Sequence, residues 1–441
     1  MSEMKDIIYW IWLAEQSGYA SKHFVKLYSL YKNPADVYAL EDDEILQLDK
    51  AIPYSYKDKL CQRDLTKASA IYEYCCAKGI EVLSFDDRRY PERLRLISDP
   101  PIVLYCKGEV PAFNDDLCIG IVGTRKMSKY GRDGAYKFAY ELSSVGVCVV
   151  SGLALGVDAT AACGALDGGS KTVQVLGCGV DVVYPRAHAK LREKVIEKGA
   201  LISEYPPLEP PQKYYFPQRN RIISGISQGV FVAECRKESG AMITASVALL
   251  QGKDLFAYPG KVGDPTAEGP NELLRIGAYA ALTVEDILDH YKVYFNCDNE
   301  KETDNKLRTA RDSAIDASLS LARYSIPDKC EENEKINNAP RLGAPKGKFK
   351  EQNSINILKA EEQKPQIVRE DIVSAPIKTA QDFGLDDKTA KVFDAIDCKK
   401  PMSVDSIACD GLSAKDVITA LTMLEIMGLV SSLPGGLYIR K

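Results

Sequence analysis

The sequence predicts an α/β fold: a doubly wound, mostly parallel sheet covered by helices on both faces, with a small N-terminal helical module and a C-terminal winged-helix-like domain. Three observations carry this reading. Short apolar runs ending in Gly or Ser alternate with helix-period segments over residues 79–290, which is the rhythm of strands joined by crossover helices. Residues 1–78 carry only helical spacings. The last segment, 385–441, regains three helix-like stretches and a hairpin after a polar interval.

Composition sets the outer bounds. The chain has 441 residues, 45% hydrophobic and 27% charged, with a net charge of −5, ordinary for a globular protein of several domains. No apolar run approaches the roughly 18 residues of a membrane span. Met1-Ser-Glu-Met-Lys-Asp places acids before a short amphipathic segment, unlike a secretory or transit leader, so a cytoplasmic location is expected. The thirteen cysteines include no Cys-x-x-Cys pair, and His23, His188 and His290 lie far apart. Several cysteines, such as Cys118, Cys148 and Cys178, sit in or beside apolar runs, where a reduced thiol acts as a small hydrophobe. No metal and no cofactor is expected. The acidic total weakens a nucleic-acid reading without excluding it, since local patches steer a polyanion.

In chain order, apolar residues at three- and four-residue spacings predict helices at 4–14, 21–31, 41–48 and 66–77, separated by Asn33-Pro34 and Ile52-Pro53. In the central domain, strands are expected at 117–122, 147–150, 172–176, 201–203, 229–233 and 255–258. Helices are expected through 135–142, after residue 156, and near 187–197, 219–226 and 241–250. Residues 291–384 fill with Lys, Glu, Asn, Gln and Pro and predict a largely disordered linker with one helix near 306–322. Beyond it, 388–396, 403–408 and 413–427 are helix-like, and 429–439 reads as two short strands around Pro434-Gly-Gly.

Every loop of interest follows a strand and so belongs to the carboxyl edge of one sheet, where open α/β folds bind ligands. Gly123-Thr124-Arg125, Ser151-Gly152, Gly177-Cys-Gly179, Ser239-Gly240 and Pro259-Gly260 can converge there, their glycines letting a polyanion approach the backbone. The stretch Lys213-Tyr-Tyr-Phe216-Pro-Gln-Arg219-Asn220-Arg221-Ile222 sets aromatic rings beside cations without helical or strand alternation. It follows a proline-rich run and reads as a long loop feeding a helix that begins near Arg219. Such a surface suits stacked bases and a phosphate backbone; the alternative is rings plugging a gap under the loop. Arg125 is placed either for a phosphate or for a surface ion pair, and Ser239-Gly240 either for an anion or for close helix packing. Asp158, Asp181, Glu204 and Glu234 read better as caps or partners of arginines than as catalytic acids. The fingerprints of dinucleotide binding, Walker A loops, nucleophile elbows and paired-His helices are missing, so an enzyme is not expected.

Taken together, the motifs resemble the DNA-processing protein A family (DprA, also called Smf), the recombination mediators of bacterial transformation. The resemblance covers about residues 80–290. It rests on Gly123-Thr-Arg, Ser151-Gly-Leu-Ala-x-Gly-Val-Asp158, Gly177-x-Gly-x-Asp-x-x-Tyr-Pro185, Ser203-Glu-Tyr-Pro-Pro207, Phe216-Pro-x-Arg-Asn-Arg-Ile-Ile223, Ser239-Gly-x-x-Ile-Thr-Ala245 and Tyr258-Pro-Gly260. It implies a Rossmann-like domain that binds single-stranded DNA without sequence preference, protects it, and loads the RecA recombinase while displacing single-strand-binding protein. It also implies a homodimer formed through about Leu273 to Leu282. The DNA-binding set it implies is Gly123, Thr124, Arg125, Lys213, Phe216, Arg219, Asn220, Arg221, Ser239 and Gly240. Three departures stand out: Leu155 where an Arg is usual, Cys163 where a His is usual, and His188 where an Asn is usual. The N-terminal module is expected to be of the SAM or helix-hairpin-helix kind, though residues 18–31 lack the glycine pattern of the latter. A nucleotide-processing hydrolase using Glu204 or Glu234, and an interaction protein acting through its winged helix, are the alternatives.

Overall fold

The protein is described by a computed structural model. It covers residues 2–294, 300–313 and 316–326, and toward the C-terminus 387–396, 402–403, 407, 417, 420–421, 424, 430–433 and 437–440. The chain divides into two units, residues 1–349 and 350–441.

The first unit opens with six helices: α1 (Ser2–Ser17), α2 (His23–Leu30), α3 (Pro34–Ala39), α4 (Asp42–Gln47), α5 (Tyr54–Leu60) and α6 (Thr66–Lys78). The sequence reading missed α3 and α5, whose six and seven residues are too short to show a period. Their starts are nonetheless marked by proline: Asn33 caps α3 by accepting from the Ala35 N–H with Pro34 at the first helical position, and Pro53 precedes α5. α6 ends on Gly79 in the left-handed region, φ 60°. The apolar face of α1 (Trp10, Ile11, Leu13) is buried in one continuous core with Leu83, Tyr105, Val175 and Ile202 of the sheet region.

The sheet has nine strands among the described residues: β1 (Glu81–Ser84), β2 (Val103–Gly108), β3 (Cys118–Val122), β4 (Cys148–Ser151), β5 (Thr172–Val175), β6 (Ala200–Ser203), β7 (Gly229–Val232), β8 (Asp254–Ala257) and β9 (Tyr279–Ala280). Their order is β1-β2-β6-β5-β4-β3-β7-β8-β9. From β6 to β9 all neighbours are parallel. β2 runs antiparallel to β6 and β1 antiparallel to β2, an addition that the sequence reading did not contain. Pro100-Pro101 before Val103 and Gly108 at its end were the available punctuation.

Crossover helices cover both faces: α8 (Lys129–Ser144), α9 (Val157–Gly168), α10 (Ala189–Lys198), α11 (Tyr215–Ile226), α12 (Gly240–Leu250) and α13 (Glu268–Arg275), with a short α7 (Glu92–Arg95) ahead of β2 and α14 (Glu285–Leu288) after β9. The chain winds from β3 through β4 and β5 to β6 on one side and returns to place β7 on the other side of β3, so the switch point at which loops splay apart lies between β3 and β7.

Two further helices, α15 (Glu300–Ser313) and α16 (Ala317–Arg323), stand where the sequence reading expected a largely disordered linker with one helix near 306–322. They pack on the sheet domain. Arg311 bonds Glu141 at 3.2 Å and Glu285 at 2.7 Å. Asp167 accepts from Tyr136, Ser320, Arg323 and Tyr324. Apolar Leu307 and Ala310 of the mostly charged and polar α15, and Ala317 and Leu321 of α16, are buried. The rest of the expected linker, 327–384, lies outside the described residues.

In the second unit α17 (Asp387–Ala395) is followed by β10 (Met402–Ser403), β11 (Val430–Leu433) and β12 (Leu437–Arg440), forming an antiparallel sheet in the order β10-β12-β11. Val392, Phe393, Ile396, Leu421, Leu424 and Val430 make its core. Ser403, expected at a helix start, is in a strand; the turn at 434–436 lies outside the described residues.

Candidate nucleic-acid interface

Loops after β3, β4 and β5, together with α11 and the start of α12, enclose an open crevice of about 600 Å³ at the carboxyl edge. Nine of the ten sequence-predicted residues line it: Gly123, Thr124, Arg125, Lys213, Phe216, Arg219, Asn220, Ser239 and Gly240. The tenth does not. Arg221 is buried beside Glu204 at 2.6 Å and Asp99 at 3.2 Å, one residue round the helix from Asn220. Its role is corrected to fixing α11 against the sheet.

The stretch expected as a loop is helical from Tyr215. Proline did not forbid this, because Pro217 is in the first turn, where its missing N–H has no intrahelical acceptor to lose. The helical start separates the rings. Tyr215 turns inward and stacks on Tyr205 at 3.9 Å, with Tyr19 of the α1–α2 loop 5.6 Å away, while Phe216 turns to the crevice. Gly177 lies directly under the Phe216 ring, where a Cβ would press on it. Tyr184 flanks the ring at 5.5 Å, and the Arg125 guanidinium sits 5.6 Å from its centroid, within cation–π range. Both readings of the aromatic run are therefore found: Tyr215 plugs, Phe216 lines the crevice, and Tyr214 is exposed.

Arg219 forms the floor. Its guanidinium donates to the Val175 carbonyl and occupies the space left by Gly152, where a Cβ would collide with it. Burial lowers its pKa, opposed by Asp158. Burial likewise raises the Asp158 carboxyl, opposed by Arg219. Arg219 is thus a fixed interior charge, whereas Arg125 and Lys213 are exposed and can meet a ligand. On the far wall Ser239 precedes α12 without a side-chain cap bond, and Ser239, Gly240 and Ala241 line the crevice end, so the helix N-terminus there favours an anion.

The acids fall outside this set except Asp158. Glu204 holds Arg221 and also accepts the Ala20 N–H at 3.2 Å. Glu234 accepts the Ser128 N–H at 2.9 Å. Asp181 accepts from Tyr74 and from the Leu208 N–H. Leu155, Cys163 and His188 do not line the crevice either. His188 is buried with Nδ1 on the Leu153 carbonyl at 2.9 Å, and burial lowers its pKa.

A doubly wound sheet with a cationic, aromatic-walled crevice at its switch point defines an α/β protein of the Rossmann-like class. Comparison with known proteins narrows this. Residues 81–292 match the family model described as DNA recombination-mediator protein A, and residues 376–436 match a DprA winged helix domain. The chain is 40% identical over 212 residues to the DNA processing protein DprA of Bacillus subtilis (strain 168), covering 48% of this chain and 71% of that one. It is 30% identical over 374 residues to the Smf protein of Synechocystis sp. (strain ATCC 27184 / PCC 6803 / Kazusa), covering 82% and 81%. Among solved structures, DNA processing protein A from Streptococcus pneumoniae superposes with a TM-score of 0.56 at 32% identity, covering 64% of this chain and 97% of that one. The chain belongs to the DNA recombination-mediator protein A family, and its C-terminal unit is that family's winged helix domain.

Proposed function

We propose that the crevice binds single-stranded DNA without sequence preference and that the protein mediates recombination by protecting the strand and passing it to a RecA recombinase, displacing single-strand-binding protein. The observation that carries this is the pairing of Arg125 with the Phe216 ring at 5.6 Å in a crevice that also holds Lys213 and the α12 N-terminus. A ring accepts any base by stacking, and exposed cations accept any phosphate, so the set recognises the polymer and not its sequence. The protein acts by binding and not by catalysis, in the cytoplasm. It works as a homodimer, for which Ile276, Tyr279 and Leu282 offer exposed apolar side chains at the β9 edge of the sheet.

Fluorescence anisotropy of an oligothymidine across a salt series tests the binding. Wild-type affinity in both Arg125→Ala and Phe216→Ala would remove the crevice assignment. Assembly of RecA on DNA coated with single-strand-binding protein, with and without this protein, tests the mediator step.

A further inference from the structure

A second cavity, of about 370 Å³, opens at the carboxyl edge on the side of the sheet that α8 covers, within the size range of small-ligand sites. It is separated from the crevice by the Gly123–Arg125 loop, which the Thr124 N–H ties to the Glu234 carbonyl at 2.7 Å. Glu234 lines it and is 3% exposed. Its Oε2 accepts the Ser128 N–H at 2.9 Å, and its Oε1 is buried without any donor from the protein. A buried carboxylate oxygen left without a donor is costly, and the crevice reading makes no use of it.

The rest of the cavity is preformed. Tyr130 and Tyr258 stack at 4.7 Å with planes 8° apart, the Tyr130 hydroxyl donates to the Pro259 carbonyl at 2.7 Å, and the Tyr258 ring lies against Gly134 where no Cβ would fit. Asn271 holds Gly260 by both its N–H and its carbonyl, at 3.2 and 3.1 Å. Lys261 stands exposed at the rim, and Asp264 there is already engaged by Thr266.

We propose that this cavity binds a guanine base. An ionised carboxylate only accepts. Guanine presents two adjacent parallel N–H donors on its pairing edge; adenine and cytosine place an acceptor nitrogen beside their amino group, and thymine flanks its single N–H with two carbonyls. The aromatic wall supplies stacking, and Lys261 suits the phosphate that any nucleotide carries. The base is either that of a free guanine nucleotide or one in a strand held by the neighbouring crevice. Only the second source rests on the single-strand reading above.

Two arms separate these sources. Isothermal titration of the full chain with GMP and AMP is expected to show GMP binding at least tenfold more tightly if the ligand is free nucleotide. If it is a strand base, GMP is silent, and an oligothymidine carrying one central dG binds more tightly than its dA counterpart. In either arm Glu234→Gln abolishes the preference while keeping the melting temperature, since Gln retains an oxygen for the Ser128 N–H. Tyr130→Ala, at a half-exposed position, weakens the same response several-fold. Absence of guanine preference in both arms, or a preference that survives Glu234→Gln, overturns the proposal. Failure of plain oligothymidine to bind would instead strike the crevice reading and leave the GMP arm standing.

Discussion

At the scale of single residues, two buried arginines of one helix part, Arg219 to the crevice floor and Arg221 to Glu204 and Asp99, and two neighbouring rings have opposite fates. Arg125→Ala should weaken oligothymidine binding and flatten the dependence of log K on log salt by about one unit, because one phosphate contact is lost. Phe216→Ala should cost roughly 1–3 kcal/mol of binding with little change in that slope. Both are read in the same anisotropy titration. Arg221→Ala should leave Glu204 buried and Asp99 half-buried without their partner and destabilise the fold by about 3–5 kcal/mol, measured by urea unfolding. The sequence placed Arg125, Lys213 and Phe216 together because each lies in the segment that follows a parallel strand and so belongs to the carboxyl edge. It could not distinguish Arg221 from Asn220, since which side of a helix faces the sheet depends on the helix start, and Pro217 concealed that start. His188 supplies a pH signature. Its folded pKa is depressed by burial, so between that value and the ordinary 6.5 the unfolded chain binds more protons than the folded one, and stability falls as pH drops through this window. His188→Asn should flatten the thermal stability profile there.

At the scale of elements, the parallel strands β3 to β8 were legible because apolar runs closed by Gly or Ser are what a strand buried on both faces requires, whereas the two-residue exposed β9 was not. β1 and β2 were not, since an antiparallel pair has no crossover helix to announce it. α15 and α16 were only partly legible: one helix was expected near 306–322, but the charged composition of α15 resembles a solvated tether, and the pair is held by a few inward residues together with the acids Glu141, Glu285 and Asp167. Asp167→Ala should therefore loosen α16, lowering the amide protection of 317–326 by about 1–3 kcal/mol in hydrogen exchange while leaving oligothymidine affinity unchanged. A tether reading would predict no protection to lose.

At the scale of the whole molecule, the first unit carries the crevice and the second is a winged helix with its own small core. Removing residues 350–441 should leave crevice affinity at the wild-type level, with any change confined to partner assays. Within the first unit no such cut is available, because α1 shares its core with the sheet. Calorimetry of residues 1–349 should show one transition in which helical module and sheet melt together. The same shared core has a consequence for synthesis. The Ala20 N–H finds its acceptor, Glu204, 184 residues later, and Tyr19 waits for Tyr205 and Tyr215. At ~5–20 residues per second of elongation, the α1–α2 loop is outside the ribosome for about 10–40 s before the surface that receives it exists. Tyr19 and the apolar face of α1, uncovered over that interval, make the nascent chain a client for whatever shields apolar segments in the cell.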